Sequence, residues 1–168
     1  MHKEEIQVHP FPPIYDKDSR ILILGTMPSV ASRQNQFYYG HPQNRFWKVL
    51  SVVLGSRLPE NIQEKKELLL NHGVALWDVL ASCRIQMSKD SSIKDPVVND
   101  FGSMLKNTRI CAIYTNGRKA DSLYQKLVYP YTGILSTVLP STSPANAQYD
   151  LEKLIGEWMV IREYLHLF

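Results

Sequence analysis

The stretch RILILG at residues 20–25 decides the architecture. Four aliphatic side chains, Ile21 to Leu24, follow one another with no polar residue between them. A strand with one wet face alternates. An unbroken apolar run reads as a strand buried on both faces, the kind found in parallel sheets covered by helices. Three further runs have strand character: VALWDV at 74–79, RICAIYT at 109–115 and ILSTVL at 134–139.

The segments between these runs carry helical periods. Phe46, Val49, Leu50, Val53 and Leu54 recur at i, i+3, i+4, i+7 and i+8, one face of a helix. Asn61 with Glu64 has the form of a capping box opening a helix toward Leu68 and Leu70. Asp95-Pro96 reads as a cap with proline at the first helical position, followed by Val97, Val98, Phe101, Met104 and Leu105 on one face. Asn116 is placed to cap a helix carrying Ala120, Leu123, Tyr124 and Leu127, and Leu151, Leu154, Ile155 and Trp158 form a last stripe. Strands alternating with helices argue for a parallel sheet with helices on both faces. The expected fold is α/β, a three-layer α/β/α sandwich around a central four-stranded parallel sheet. Residues 1–168 read as one domain, with no repeat or low-complexity linker. The proline-rich residues 1–18 are expected to wrap the surface, and the polar residues 82–94 to form a loop.

Bulk properties narrow the function only slightly. A chain of 168 residues suits a single core. The net charge of +3 and pI near 8.8 are compatible with a polyanion without demanding one. Two cysteines, Cys83 and Cys111, are too few for a disulfide framework or a four-thiolate metal site. Cys111 lies in an apolar run and reads as buried. The five histidines show no ligand spacing, so no metal and no cofactor is expected. No stretch reaches transmembrane length and no apolar leader opens the chain. The reading is a cytoplasmic protein with no membrane partner, working as a monomer.

In open parallel sheets, ligands bind beyond the carboxyl ends of the strands. Here those ends carry GTMPS at 25–29, Trp77-Asp78, TNG at 115–117 and PSTSPAN at 140–146. A long polar and aromatic connection follows the first, and long loops are often functional. No G-x-S-x-G elbow is present, which argues against a serine hydrolase on a similar sheet.

The same segments resemble a known family. FYYGHPQNRFWK at 37–48 is similar to the element that leads into a helix in mismatch-specific uracil and thymine DNA glycosylases. GTMPS stands where those proteins carry G-x-N-P-G, and LPSTSPANAQ at 139–148 resembles their DNA-inserting loop. The resemblance covers roughly residues 21–148 and is nearest to the hypoxanthine-DNA glycosylase branch of the uracil-DNA glycosylase superfamily. It implies a base-excision-repair enzyme that flips a deaminated base from DNA and hydrolyses its N-glycosidic bond with a positioned water, hypoxanthine first and uracil second. The alternatives are a mismatch-type uracil-DNA glycosylase and a non-catalytic module that binds damaged DNA. Met27 occupies the position of the water-holding Asn of the mismatch enzymes, and methionine cannot hold a water.

The resemblance assigns catalysis to Asn44, whose carbonyl can accept from a water and whose amide can donate. The reading without it is a helix cap. Tyr39 aligns with a base-stacking aromatic, with Tyr38 as the fallback. Asp78 takes the place of a base-reading Asn. An ionised carboxylate only accepts hydrogen bonds. It therefore suits the ring N–H of hypoxanthine or uracil and repels the bare ring nitrogen of adenine or cytosine; guanine and thymine also carry a ring N–H, so pocket shape must exclude them. A backbone N–H near Thr26 and Met27 is expected to meet the base carbonyl, and Asn116 to help close the pocket. Ser141, Thr142 and Ser143 are expected to grip phosphate, with Pro144, Ala145 and Asn146 as the tip that fills the gap in DNA. Arg33, Arg45, Lys48 and Arg118 are candidate phosphate contacts.

Overall fold

A computed structural model of the chain describes residues 5–85 and 92–165. Strand β1 (Glu5–Val8) is followed by β2 (Ile21–Gly25), α1 (Val30–Asn35), α2 (Phe46–Val53), α3 (Ile62–Asn71), β3 (Val74–Asp78), β4 (Leu80–Ile85) and β5 (Lys94–Val98). The chain continues through α4 (Gly102–Lys106), β6 (Ala112–Asn116), α5 (Arg118–Leu123), a wide helical turn, α6 (Tyr129–Thr132), β7 (Ser136–Leu139), α7 (Leu151–Trp158) and a 3-10 turn at Met159–Tyr164. Four strands form one parallel sheet in the order β3-β2-β6-β7. This is the expected three-layer arrangement. Among the described residues no helix is long and apolar enough to cross a membrane.

The central strand shows why RILILG is decisive. Ile21, Leu22, Ile23 and Leu24 are all fully buried. Successive side chains point to opposite faces. Ile21 and Ile23 join Val74, Leu76 and Tyr114 in a cluster with Phe46, Val49, Leu50, Leu154 and Trp158 from α2 and α7. Leu22 and Leu24 join Ala75 and Ile113 in a second cluster with Met104 and Leu123 from α4 and α5. One strand thus seeds two cores. The four periodic residues of α2, and Leu54 just after it, are all buried, and Asn61 caps α3 by accepting from Glu64 N–H at 2.8 Å.

Several expectations are corrected. A second, antiparallel sheet of order β1-β4-β5 stands beside the first. Residues 1–18 therefore do more than wrap the surface: β1 pairs with β4, and Ile14 bridges to Leu76. The loop expected at 82–94 begins and ends inside strands, while 86–91 lie outside the described residues. Asp95-Pro96 opens no helix. It sits in β5, an edge strand, where proline's missing N–H costs no ladder bond. Asp95 there pairs with Arg84 Nε at 3.0 Å. Only Gly102–Lys106 of that predicted helix is helical. Asn116 does not cap α5; the cap position is Gly117. Cys111 is exposed, because β6 starts one residue later and its buried part later still.

The double-sided core yields a stability prediction. Ile23→Ala is expected to cost about 2–5 kcal/mol, read as a lower urea midpoint at unchanged slope. A loss below about 1 kcal/mol would contradict the packing described.

Candidate active site

The carboxyl ends of β2, β3 and β6 and the loop after β7 surround a cavity of about 280 Å³. Small-molecule pockets run from about 300 Å³ upward, so this cavity is of a size for one small ring system such as a base. The sequence candidates Thr26, Met27, Tyr39, Asn44, Asp78, Asn116, Ser141, Thr142, Ser143 and Pro144 all line it. Ala145 and Asn146 do not.

Asn44 stands two residues before α2. Its Oδ1 accepts from Phe46 N–H at 2.9 Å and from the Thr142 hydroxyl at 2.9 Å. Thr142 N–H donates to Asn116 Oδ1 at 3.0 Å, and Asn116 Nδ2 donates to Thr142 Oγ1 at 3.0 Å. Backbone N–H groups can only donate, so they fix both amide orientations at the two ends of this relay. The consequence revises Asn44's chemistry. Both lone pairs of its oxygen are occupied, so the carbonyl that was to accept from a water is spent on anchoring. The Nδ2 amide, with no partner among the described residues, is the group left to act. The cap position of α2 is Arg45, so Asn44 is not the helix cap; its oxygen ties it to the first N–H of α2 and its amide nitrogen stays open.

Thr142 is fully buried. It cannot grip phosphate as expected, since its hydroxyl and N–H are used inside the protein. It positions Asn44, and Asn116 positions Thr142. Arg45 is likewise no phosphate contact. Its guanidinium donates to the carbonyls of Ser143 at 2.8 Å, Asn146 at 3.1 Å, Thr142 at 3.4 Å and Tyr149. A planar fork of five donors thus clamps the 142–149 loop onto the start of α2. Arg33 donates to Pro28 O at 3.0 Å, within the GTMPS turn. Lys48 and Arg118 are exposed.

The loop itself exposes Pro144 and Ala145. Ser141 Oγ and Ser143 Oγ accept from Ser143 N–H and Ala145 N–H at 3.1 and 3.2 Å. Each hydroxyl therefore keeps a proton to donate outward. Asn146 turns inward, donating to Ser141 O at 3.0 Å, so the exposed tip is proline and alanine.

Tyr39 stacks on Phe46 with ring centroids 4.0 Å apart and planes at 16°. One face of its ring is covered, and the residue lines the cavity. Its φ of +53° is a left-handed conformation costing an L-residue about 1–2 kcal/mol. Its hydroxyl is buried with no hydrogen-bond partner among the described residues. Burial, and then the charge of Asp78, push the phenol well above its ordinary range against a smaller opposing pull from the nearby Asn116 amide, so it stays a neutral O–H donor. Tyr38 also lines the cavity, but little of it is open. It is 2% exposed, and its hydroxyl donates to Pro12 O at 2.9 Å.

Asp78 ends β3, 3% exposed. Its Oδ2 lies 2.7 Å from His9 Nε2, a partner the sequence reading missed. No local signal marks a pair 69 residues apart. Gly25 permits this crowding, because a Cβ there would collide with Asp78 Oδ1 and Tyr39 Oη. Both groups thus converge on one small volume at the cavity wall. The Met27 N–H has no partner among the described residues, while the Met27 side chain packs on the second core cluster.

A base-sized cavity at the carboxyl ends of a parallel sheet, with an anchored amide and a buried carboxylate, places the chain in a definite class. The Uracil DNA glycosylase superfamily model matches residues 12–162, and the chain belongs to that superfamily. Its relatives include a hypoxanthine DNA glycosylase of Methanosarcina acetivorans, 37% identical over 153 residues, covering 90% of this chain and 95% of the relative. The hypoxanthine DNA glycosylase of Methanosarcina barkeri is 35% identical over 139 residues, covering 81% and 86%. A solution NMR structure of a candidate uracil DNA glycosylase from Methanosarcina acetivorans superposes with a TM-score of 0.79 at 33% identity, covering 94% of this chain and 96% of that one.

The relay predicts the effect of removing its middle hydroxyl. Thr142→Val keeps shape but leaves Asn116 Nδ2 and Asn44 Oδ1 each short of a partner. Stability should fall by about 1–3 kcal/mol, and single-turnover base release should slow at least ~10-fold, about 1.4 kcal/mol of barrier. DNA affinity should change little. An unchanged rate would show that Thr142 does not position Asn44.

Proposed function

We propose that this DNA glycosylase removes hypoxanthine from DNA, with uracil as the second substrate. The observation that carries the reading is the pairing, on one base-sized cavity, of an acceptor-only carboxylate oxygen with an unpartnered donor amide. The target nucleotide leaves the duplex, and its base enters the cavity beside Tyr39. The ring N–H at position 1 donates to Asp78 Oδ1. Met27 N–H donates to the carbonyl at position 6. Adenine offers a bare nitrogen and an amino group at those two points, and both contacts reverse sign.

Hydrolysis then breaks the bond between sugar carbon and ring nitrogen and forms one between that carbon and the water oxygen, with the water's proton ending on the departing base. The sugar becomes cation-like, so the water needs placing more than deprotonation. The base departs with the bond's electron pair. Negative charge grows on a base that already faces a carboxylate, which leaves its stabilisation to the donors. The amide of Asn44, held by its own oxygen, is aimed before the reaction starts. Pre-aimed donors at developing charge contribute about 2.7–4 kcal/mol each. Outside the cavity, the hydroxyls of Ser141 and Ser143 serve the flanking phosphates, and Pro144-Ala145 fills the vacated stack. The reading needs no metal and no cofactor, and every side chain it names comes from one copy of the chain.

The test is single-turnover base release from matched duplexes carrying one hypoxanthine, uracil, adenine or guanine. Hypoxanthine should be released fastest, uracil more slowly, and adenine slowest, at a rate measured at high enzyme. Asp78→Asn should slow hypoxanthine release roughly 10–150-fold, the worth of one charge-assisted hydrogen bond of about 1.5–3 kcal/mol. No abasic product from any duplex at high enzyme would overturn the enzymatic reading. An unchanged substrate profile in Asp78→Asn would overturn the base-reading role.

A further inference from the structure

The carboxylate at the cavity wall can read a base only if one oxygen is held and the other kept open. His9 is the group that does this. Its side chain is 4% exposed and that of Asp78 is 5% exposed. The ring sits among Phe11, Tyr38 and Trp77, with centroids 5.8, 5.8 and 6.5 Å away. Phe11 N–H donates to His9 Nδ1 at 3.2 Å. That backbone group has no acceptor capacity, so Nδ1 carries a lone pair and the ring proton sits on Nε2. The Nε2–H then donates to Asp78 Oδ2 at 2.7 Å. The tautomer is thus set by the chain itself. His9 N–H donates to Ala81 O at 2.7 Å, and Pro12 O receives the Tyr38 hydroxyl. The segment bearing His9 is therefore tied at both ends to the walls of the site. His9 also lies before residues 12–162, the part matched by the superfamily model.

We propose that His9 is a positioning and specificity-determining residue: as the neutral Nε2–H tautomer it holds Asp78 Oδ2, so that Oδ1 alone faces the base. The proposal rests on Asp78 reading the base. A donor on Oδ2 fixes the carboxyl plane and leaves the cavity with a single acceptor at a defined point. Without that donor, a buried carboxylate loses its side-chain partner and turns toward the nearest available donors, the Tyr39 hydroxyl among them. Hypoxanthine binding then competes with an internal bond.

The variants His9→Gln and His9→Phe separate the role from packing. Gln places an amide donor near the Nε2 position, and Phe fills the volume without a donor. In His9→Phe, the ratio of hypoxanthine to adenine kcat/KM should fall at least tenfold, mainly through KM. His9→Gln should recover most of that ratio. Nitrogen NMR of the wild-type protein should show His9 protonated on Nε2 only, a readout that does not depend on the variants folding. Protonation on Nδ1, or a substrate ratio in folded His9→Phe equal to wild type, would overturn the proposal. The two failures can be told apart. If Asp78→Asn loses discrimination and His9→Phe keeps it, Asp78 reads the base without His9. If neither changes the profile, base reading by Asp78 itself is wrong.

Discussion

The oxygen of one side-chain amide holds this site together. Asn44 Oδ1 takes the Phe46 N–H and the Thr142 hydroxyl, both at 2.9 Å, and so joins segments 98 residues apart. The first bond ties the residue to α2, and the second ties it to the loop after β7. Arg45, next in the chain, repeats the coupling with donors to four carbonyls of the same loop. A group anchored this way loses little freedom when substrate arrives. Such preorganisation is the main route by which fixed dipoles lower a barrier. In the proposed reaction the amide nitrogen acts while the amide oxygen anchors it.

The sheet explains why these groups meet. β2 lies between β3 and β6, and β7 lies beyond β6. Parallel strands deliver their carboxyl ends to one side, so Gly25, Asp78, Asn116 and Ser141 arrive together from four distant stretches of chain. The absence of a side chain at Gly25 lets the carboxylate and the Tyr39 hydroxyl approach. The buried Ile21–Leu24 run that holds β2 central is thus also what places the turn beneath the cavity. The second sheet adds a wall from another direction, since β1 leads directly into the segment that carries His9.

Much of this was legible in the amino-acid order. Strands buried on both faces leave unbroken apolar runs, and α2 leaves a clean 3.6-residue period, so the four-stranded sheet and its helices could be read. The cavity-lining residues could be read because sheet topology brings strand ends together and because HPQNRFWK is specific. Three things were not legible. The antiparallel sheet was hidden by Asp95-Pro96, which looks like a helix start and is tolerated only because β5 is an edge. The His9–Asp78 pair had no local trace. The division of labour within Asn44 was also invisible, because residue type gives both a donor and an acceptor and only geometry shows which is consumed. The same geometry moved Thr142 and Arg45 from DNA contacts to internal supports.

Asn44→Asp tests this division most directly. Aspartate keeps an oxygen for Phe46 N–H and the Thr142 hydroxyl, so the fold and the loop clamp should persist. It replaces the amide donor with a second oxygen. If the donor acts on the departing base, single-turnover release of hypoxanthine should fall on the order of 10²–10³-fold in a protein that still folds and still binds DNA. If Asn44 worked instead as the acceptor that holds the attacking water, the carboxylate would serve at least as well. A rate within a few-fold of wild type would contradict the account.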